Sequence, residues 1–392
     1  MSDEVWVLTY NTNDLQSVEN ISSGLVRLYS KSFRVRIIEL QDPERMNSGH
    51  LRKWLDDYKA NPPGHVAVVH PSVNHHPFFQ ALLVLKTNTK FLIHVFGNFI
   101  RNGESWKKQE HLFLGRKVHF ISASECYDQV VQNFIPAASC ALLPFPVIDF
   151  AISERKEKPN DSLQIIYTGR YHEQKNVSLM IEKLNETAGA LKIKVELILA
   201  VVFDDFNPTT MNKKKLLGEQ FSHFQDVKRK SGNLTITIIP HTSLSHLKTI
   251  LASSDLFISF STFQDEDFGC SVLEALACGV PCLVTKWGGF RDFIAAFPDA
   301  CIGIDVFLKE NSLVADLSHL PSQIVKLVSL KDKKSLQEDV KKQYSDNSLM
   351  LKLKFIAERN EVFSGFTGEL KNIMTVDEFK KLYQPFWSPD GK

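Results

Sequence analysis

Apolar and polar positions along this chain recur in two spacings. Short runs rich in Val, Ile, Leu and Phe fall at residues 5–10, 34–40, 65–70, 91–96, 117–123 and near 139–143. Between them, residues 18–29, 51–59 and 124–134 bring an apolar side chain round every three or four positions. The first spacing predicts strands buried on both faces, the second amphipathic helices. Strands separated by helix-length segments do not pair as hairpins, so the pattern predicts a parallel sheet covered on both faces, a Rossmann-like domain. Residues 151–162 lose the apolar period, turn polar and charged, and read as a linker. The alternation then resumes, with strands at 163–168, 195–202, 234–240, 256–260 and 281–285 and helices at 177–186, 243–251, 271–278 and 290–296. From Asn311 onward the pattern is helical and lysine-rich, which is the usual composition of a solvated helix face.

A length of 392 residues suits two or three domains. The formal charge of +1 gives no electrostatic case for a nucleic-acid partner or an anionic membrane at the level of the whole chain. Six cysteines without a CxxC pair or framework spacing fit a reducing compartment, and we expect a cytoplasmic protein. The opening MSDEVWVLTYN runs straight into a predicted strand, which argues against a signal peptide, and no apolar run approaches the roughly 20 residues of a membrane span. Leu51-Arg-Lys-Trp-Leu55 and Ser105-Trp-Lys-Lys108 mix apolar and basic residues and could support weak membrane association, although ordinary surface helices carry the same pattern.

The chemistry concentrates in DLFISFSTFQDEDFGCSVLEALACGVPCLVT, residues 255–285, which reads as strand, loop, helix, strand. Its loop lies at the carboxyl end of the first strand, where open α/β sheets bind ligands. The loop carries Asp265, Glu266 and Asp267, and Glu274 follows eight residues after Glu266. Gly269 permits close backbone approach, and the amides of Cys270, Ser271 and Val272 open a helix whose first donors suit phosphate or sugar oxygens. Upstream, Gly169-Arg170 ends a strand and Lys175-Asn176 begins a helix, with Asn176 expected as its cap. Two cations beside helix-start amides suit a diphosphate, arginine through bidentate bonding and lysine as a point charge.

The segment from Glu266 to Pro281 resembles the Glu-x7-Glu signature of glycosyltransferase family 4, retaining enzymes of the GT-B fold. Gly169-Arg170 with Lys175-Asn176 resembles the family's second signature, and Gly288-Gly289 before a helix is also shared. The resemblance covers residues 163–294 well and the first domain in outline. It implies an α/β, GT-B fold: two Rossmann-like domains with a deep interdomain cleft. Residues 1–150 would form an N-terminal acceptor-binding domain and residues 163–375 a nucleotide-sugar donor domain, with a C-terminal helix over 376–392 returning to the first. It further implies transfer of a hexosyl or N-acetylhexosaminyl group from a UDP- or GDP-linked donor to a glycan, lipid or protein acceptor, with retention of anomeric configuration and no nucleic acid involved.

On that reading Arg170 and Lys175 take the diphosphate, assisted by the Ser271 and Val272 amides. Glu266 would bind the sugar hydroxyls and Glu274 those of the ribose. His94, at a strand end, would reach the sugar from the other domain, or be a histidine satisfied within the fold. No cofactor is expected, and no metal ion, since two cations already neutralise the diphosphate. His70, His75 and His76 cluster after a strand without a further ligand at metal spacing, and are expected to line the cleft or its rim. One departure is the loop after the first strand, Asn11 to Ser17, which has no glycine where the family has a glycine-rich turn. It motivates a different reading, a non-catalytic nucleotide-binding or scaffold protein. A nucleotide-sugar epimerase or a phosphorylase are the enzyme alternatives, the latter without an identifiable lysine for pyridoxal phosphate.

Overall fold

The structure, a computed structural model, describes residues 4–10, 16–96, 99, 103–147, 162–171, 175–203, 232–240, 243–263, 266–309, 312–330 and 332–367. The described residues fall into two compact units, one holding those before Asp149 and from Lys342 onward, the other those between Asp149 and Lys341.

In the first unit, strands β1 (Glu4–Tyr10), β2 (Arg34–Leu40), β3 (His65–Val68), β4 (Lys90–His94), β5 (Val118–Ser122) and β6 (Cys140–Leu142) form one sheet in the order β2-β1-β3-β4-β5-β6. Every neighbouring pair is parallel. Helices α1 (Gln16–Ser32), α2 (Ser48–Ala60), α3 (Pro77–Val84), α4 (Gly103–Phe113) and α5 (Glu125–Val131) alternate with the strands. Strands β4 and β5 are buried at every position, Lys90, His94, His119 and Ser122 included, as in a sheet covered on both faces.

The second unit repeats the plan. Strands β7 (Ser162–Tyr171), β8 (Lys194–Phe203), β9 (Leu234–Pro240), β10 (Leu256–Ser259), β11 (Cys282–Thr285) and β12 (Cys301–Ile304) order as β12-β11-β10-β7-β8-β9, again all parallel. After β9 the chain crosses back past β7 to lay β10 on its other side. That reversal of strand order leaves a crevice between the carboxyl ends of β7 and β10. Helix α6 (Val177–Leu191) buries Val177, Met180, Ile181, Leu184 and Ala188, a three-four spacing that sets one stripe against Ile165, Leu197 and Ile258 of the sheet. It ends at Lys192, whose left-handed φ of 55° lets its amide reach the carbonyls of Ala188 and Gly189. Helices α7 (Leu244–Ser253), α8 (Cys270–Ala277), α9 (Phe290–Ala296) and α10 (Leu320–Val328) complete the unit, with a small antiparallel hairpin of β13 (Val306–Lys309) and β14 (Ser312–Ala315). Strand β14 corrects the expectation of helix throughout the stretch after Asn311. Four-residue strands are too short to establish a period against the helical pattern that follows.

Helix α11 (Lys333–Tyr344) spans the boundary at Lys341, and α12 (Asp346–Glu358) belongs to the first unit. The chain therefore re-enters that unit well before residue 376, and the expected extent of the second domain to residue 375 is corrected. Helix α12 buries Leu349, Leu353, Ile356 and Ala357. Its Asp346 pairs with Arg27 at 2.9 Å and Lys31 at 2.6 Å, and the last-turn carbonyl of Ala357 meets Lys90 Nζ at 2.8 Å and His65 Nε2 at 2.9 Å. Opposite charges thus sit at both ends of the helix as its dipole favours. The expected helix over 376–392 and the linker over 151–161 lie outside the described residues, as does the glycine-free segment 11–15. Among the described residues no helix is long and apolar enough to cross a membrane.

Candidate active site

The crevice between β7 and β10 gathers the predicted cations and one predicted carboxylate. Strand β7 runs three residues beyond its expected end, so Gly169 and Arg170 are paired in the sheet with Val201 and Val202. Gly169 has a φ of 146°, and a Cβ there would stand 3.0 Å from the Tyr167 hydroxyl, which itself donates to the Arg170 carbonyl at 2.9 Å. Tyr167 is 2% exposed, and burial followed by the Glu266 charge pushes its phenol well above the usual range. Its hydroxyl therefore stays protonated as a donor that fixes the Arg170 backbone.

Lys175 and Asn176 follow at the entry to α6. Asn176 takes the cap position with a left-handed φ of 54°, yet its side chain makes no capping bond. Its amide donates instead to the Phe260 carbonyl at 2.8 Å and to Thr262 Oγ1 at 3.1 Å. The expected capping role is corrected: Asn176 ties the start of α6 to the segment leaving β10. That tie brings Lys175 Nζ within 2.5 Å of Glu266 Oε2, the two side chains being 14% and 12% exposed. Ser261 Oγ donates to the same carboxylate oxygen at 2.7 Å. Lys175 Nζ also lies 4.9 Å from the centre of the Phe263 ring, and the Arg170 guanidinium carbon 5.0 Å from it.

The backbone of Glu266 is fixed from the other side by the turn after β11. Gly289 donates its amide to the Glu266 carbonyl at 2.7 Å, and a Cβ on Gly288, whose φ is 52°, would fall 2.1 Å from that oxygen. The two glycines serve the close approach of one chain segment to another. Gly269, with φ 93°, opens α8 against the Phe290 ring, which leaves no room for a side chain. The Val272 amide is engaged by the Gly269 carbonyl at 3.0 Å within the first turn of the helix. Its expected role as a ligand donor is corrected, while Cys270 and Ser271 stand on the first turn as expected.

Glu274 lies one turn into α8, and burial raises its carboxyl to about 7 against a smaller opposing effect from Lys248. The Cys270 thiol is pushed well up by burial and then by the charges of Glu274, Asp267 and Glu266, so acidic groups surround it. A thiol so placed remains protonated and is a poor nucleophile.

His94 lies in the first unit, 1% exposed, with Nε2 3.0 Å from the Tyr29 hydroxyl, and burial lowers its imidazole to about 3. It is a neutral histidine hydrogen-bonded within its own unit. The histidines after β3 serve as local caps: His70 Nδ1 accepts from the Ser72 amide and His76 Nδ1 from the Phe78 amide, each at 3.1 Å. His75 bonds to Gln109 at 2.9 Å. Among the described residues no group of His, Cys, Asp and Glu could hold a metal ion.

Three site residues went unread in the sequence: Ser261, Phe263 and Trp287, whose indole N–H donates to the Phe263 carbonyl at 2.7 Å. Phe263 lies between Phe260 and Phe268 in the same loop, and nothing in the sequence set it apart from them.

Two parallel six-stranded sheets, each covered by helices, make the two Rossmann-like halves of the GT-B fold. Residues 149–305 match the family model described as glycosyl transferases group 1. Among curated proteins, N-acetyl-alpha-D-glucosaminyl L-malate synthase of Bacillus anthracis is 49% identical over 45 residues, 12% of this chain and 11% of that protein's length. Among solved structures, a glycosyltransferase from Rickettsia africae aligns with a TM-score of 0.65 at 13% identity, covering 91% of this chain and 98% of the other. Alr3699/HepE of Anabaena, solved in complex with UDP and glucose, aligns with a TM-score of 0.60 at 11% identity over 90% of this chain and 98% of the other. At such identities these structures establish the fold.

Proposed function

We propose that this protein is a retaining glycosyltransferase that moves a hexosyl or N-acetylhexosaminyl group from a UDP- or GDP-linked donor to a glycan, lipid or protein acceptor. The observation that carries the reading is the Lys175–Glu266 pair at 2.5 Å with Arg170 on the same aromatic ring, at the carboxyl ends of β7 and β10. As the donor bond breaks, negative charge grows on the leaving diphosphate while positive charge spreads over the sugar ring. Arg170 and Lys175 stabilise the first, acting in a partly buried site where such charges count for more than in water. Glu266 then turns from Lys175 to the sugar hydroxyls, and Glu274 takes those of the ribose. The leaving phosphate accepts the acceptor proton, so neither Glu266 nor Cys270 is needed as a nucleophile. Two fixed cations make a metal ion dispensable.

Similarity to an N-acetyl-alpha-D-glucosaminyl L-malate synthase over 45 residues, and to a fold solved with UDP and glucose, supports a nucleotide-sugar donor. Six cysteines without a framework spacing suit the cytoplasm. Calorimetric titration with UDP, GDP and ADP, without metal and then with magnesium, tests the proposal. One nucleotide should bind in both conditions, and Arg170→Ala and Glu274→Ala should each weaken it at least about tenfold, the loss of a charged or bidentate hydrogen bond. Absence of binding by all three would refute the donor assignment.

A further inference from the structure

Phe263 presents one ring to two cations, Arg170 at 5.0 Å and Lys175 at 4.9 Å from its centre. Each is attracted to the negative face potential of the ring, an interaction that strengthens as water is excluded. The ring is 9% exposed, and the residue is held at both backbone ends. Its amide donates to Ser261 Oγ at 3.3 Å, and its carbonyl accepts from the Trp287 indole at 2.7 Å and the Glu266 amide at 3.1 Å. Lys175 meanwhile spends its charge on Glu266.

We infer that Phe263 is a positioning residue: a shared aromatic platform that keeps Arg170 and Lys175 together when the Lys175 charge passes from Glu266 to an incoming diphosphate. This deepens the donor reading and rests on it for the identity of the ligand. Two long, flexible cations brought together on a diphosphate would each lose rotamer freedom on binding. A ring that already restrains them lowers that cost, so the ligand meets both charges in place. The ring also retains Lys175 once its carboxylate partner is surrendered, because its attraction does not depend on Glu266.

Stepwise fluorination of the Phe263 ring tests this, since it drains the face potential at nearly constant shape. Inorganic pyrophosphate is the probe, carrying the two phosphates without base or sugar. Affinity measured by calorimetry should fall progressively from phenylalanine through mono-, di- and trifluorophenylalanine, by about 5- to 10-fold overall, and Phe263→Tyr should stay within about twofold of the wild type. A flat series would overturn the platform, because packing alone is indifferent to fluorine count. Failure of the wild-type protein to bind pyrophosphate would overturn it too. Pyrophosphate binding with the graded loss, but no binding of UDP, GDP or ADP, would leave the platform standing and remove the nucleotide-donor reading.

Discussion

Glu274 shows how one residue's surroundings set a measurable property. Burial raises its carboxyl to about 7, above the 4.5 of an exposed glutamate. The folded state therefore holds this proton more tightly than the unfolded chain. The stabilisation this represents is complete below about pH 4.5 and is lost as pH rises through about 7. Glu274→Gln, which keeps the neutral shape, should be less pH-sensitive: denaturant melts between pH 5 and 7.5 should show the wild type losing about 1–2 kcal/mol relative to the variant, a figure reduced for the part of the side chain that reaches water. Equal pH slopes would contradict an enclosed carboxyl. At this scale the motifs singled out Glu266, Lys175 and Arg170, and the structure places them together, but the sequence was poor about what they touch. Their connection through Ser261, Asn176 and Phe263 was not legible, because it is made by side chains up to 91 positions apart that only the strand reversal brings together. The partner of His94 was likewise not legible, since nothing local announces Tyr29 across from it.

At the scale of elements, the turn joining β11 to α9 is a support for the loop after β10. Gly288 and Gly289 lie against the backbones of Glu266 and Phe268, closer than any side chain allows. Gly288→Ala should therefore cost about 2–4 kcal/mol in stability through steric overlap and a strained positive φ, and should displace Glu266 from Lys175. Thermal melting reads the first effect and nucleotide titration the second. A variant as stable and as tight-binding as the wild type would mean that the loop yields easily. Most of the parallel strands were legible here, since their apolar runs are long and doubly buried. The hairpin of β13 and β14 was not, being four residues a strand. Helix α12 was read as a solvated lysine face together with the lysine-rich stretch before it, although its own two lysines, Lys352 and Lys354, are fewer than the buried stripe of Leu349, Leu353 and Ile356.

For the whole molecule, the placement of α12 makes the first unit discontinuous in sequence. Its contribution is large: the pairs of Asp346 with Arg27 and Lys31, the bonds from Lys90 and His65 to Ala357, and Phe363 packed on Phe113 and Phe120 at 6.1 and 5.6 Å. A chain ending at Lys341 should lose protection across β4 and β5 in hydrogen exchange while keeping it in β7, β8 and β10. Uniform protection in both sheets would show that the first unit does not need its returning segment. The two parallel sheets could be anticipated from the alternation of strand and helix, whereas the point of return could not, since a helix reveals its partner only through the surface it covers.

The same discontinuity sets a timetable for synthesis. The strands before Asp149 leave the ribosome first, yet the helix that covers part of their sheet is made only after Lys341. At about 5–20 residues per second, the intervening stretch of roughly 200 residues takes about 10–40 s to translate. During that interval Phe113 and Phe120 lack the cover that Phe363 later supplies. The second unit can close as soon as Lys341 has been made, so we expect the nascent protein to complete its second half before its first, with the early half exposed for longer to chaperones.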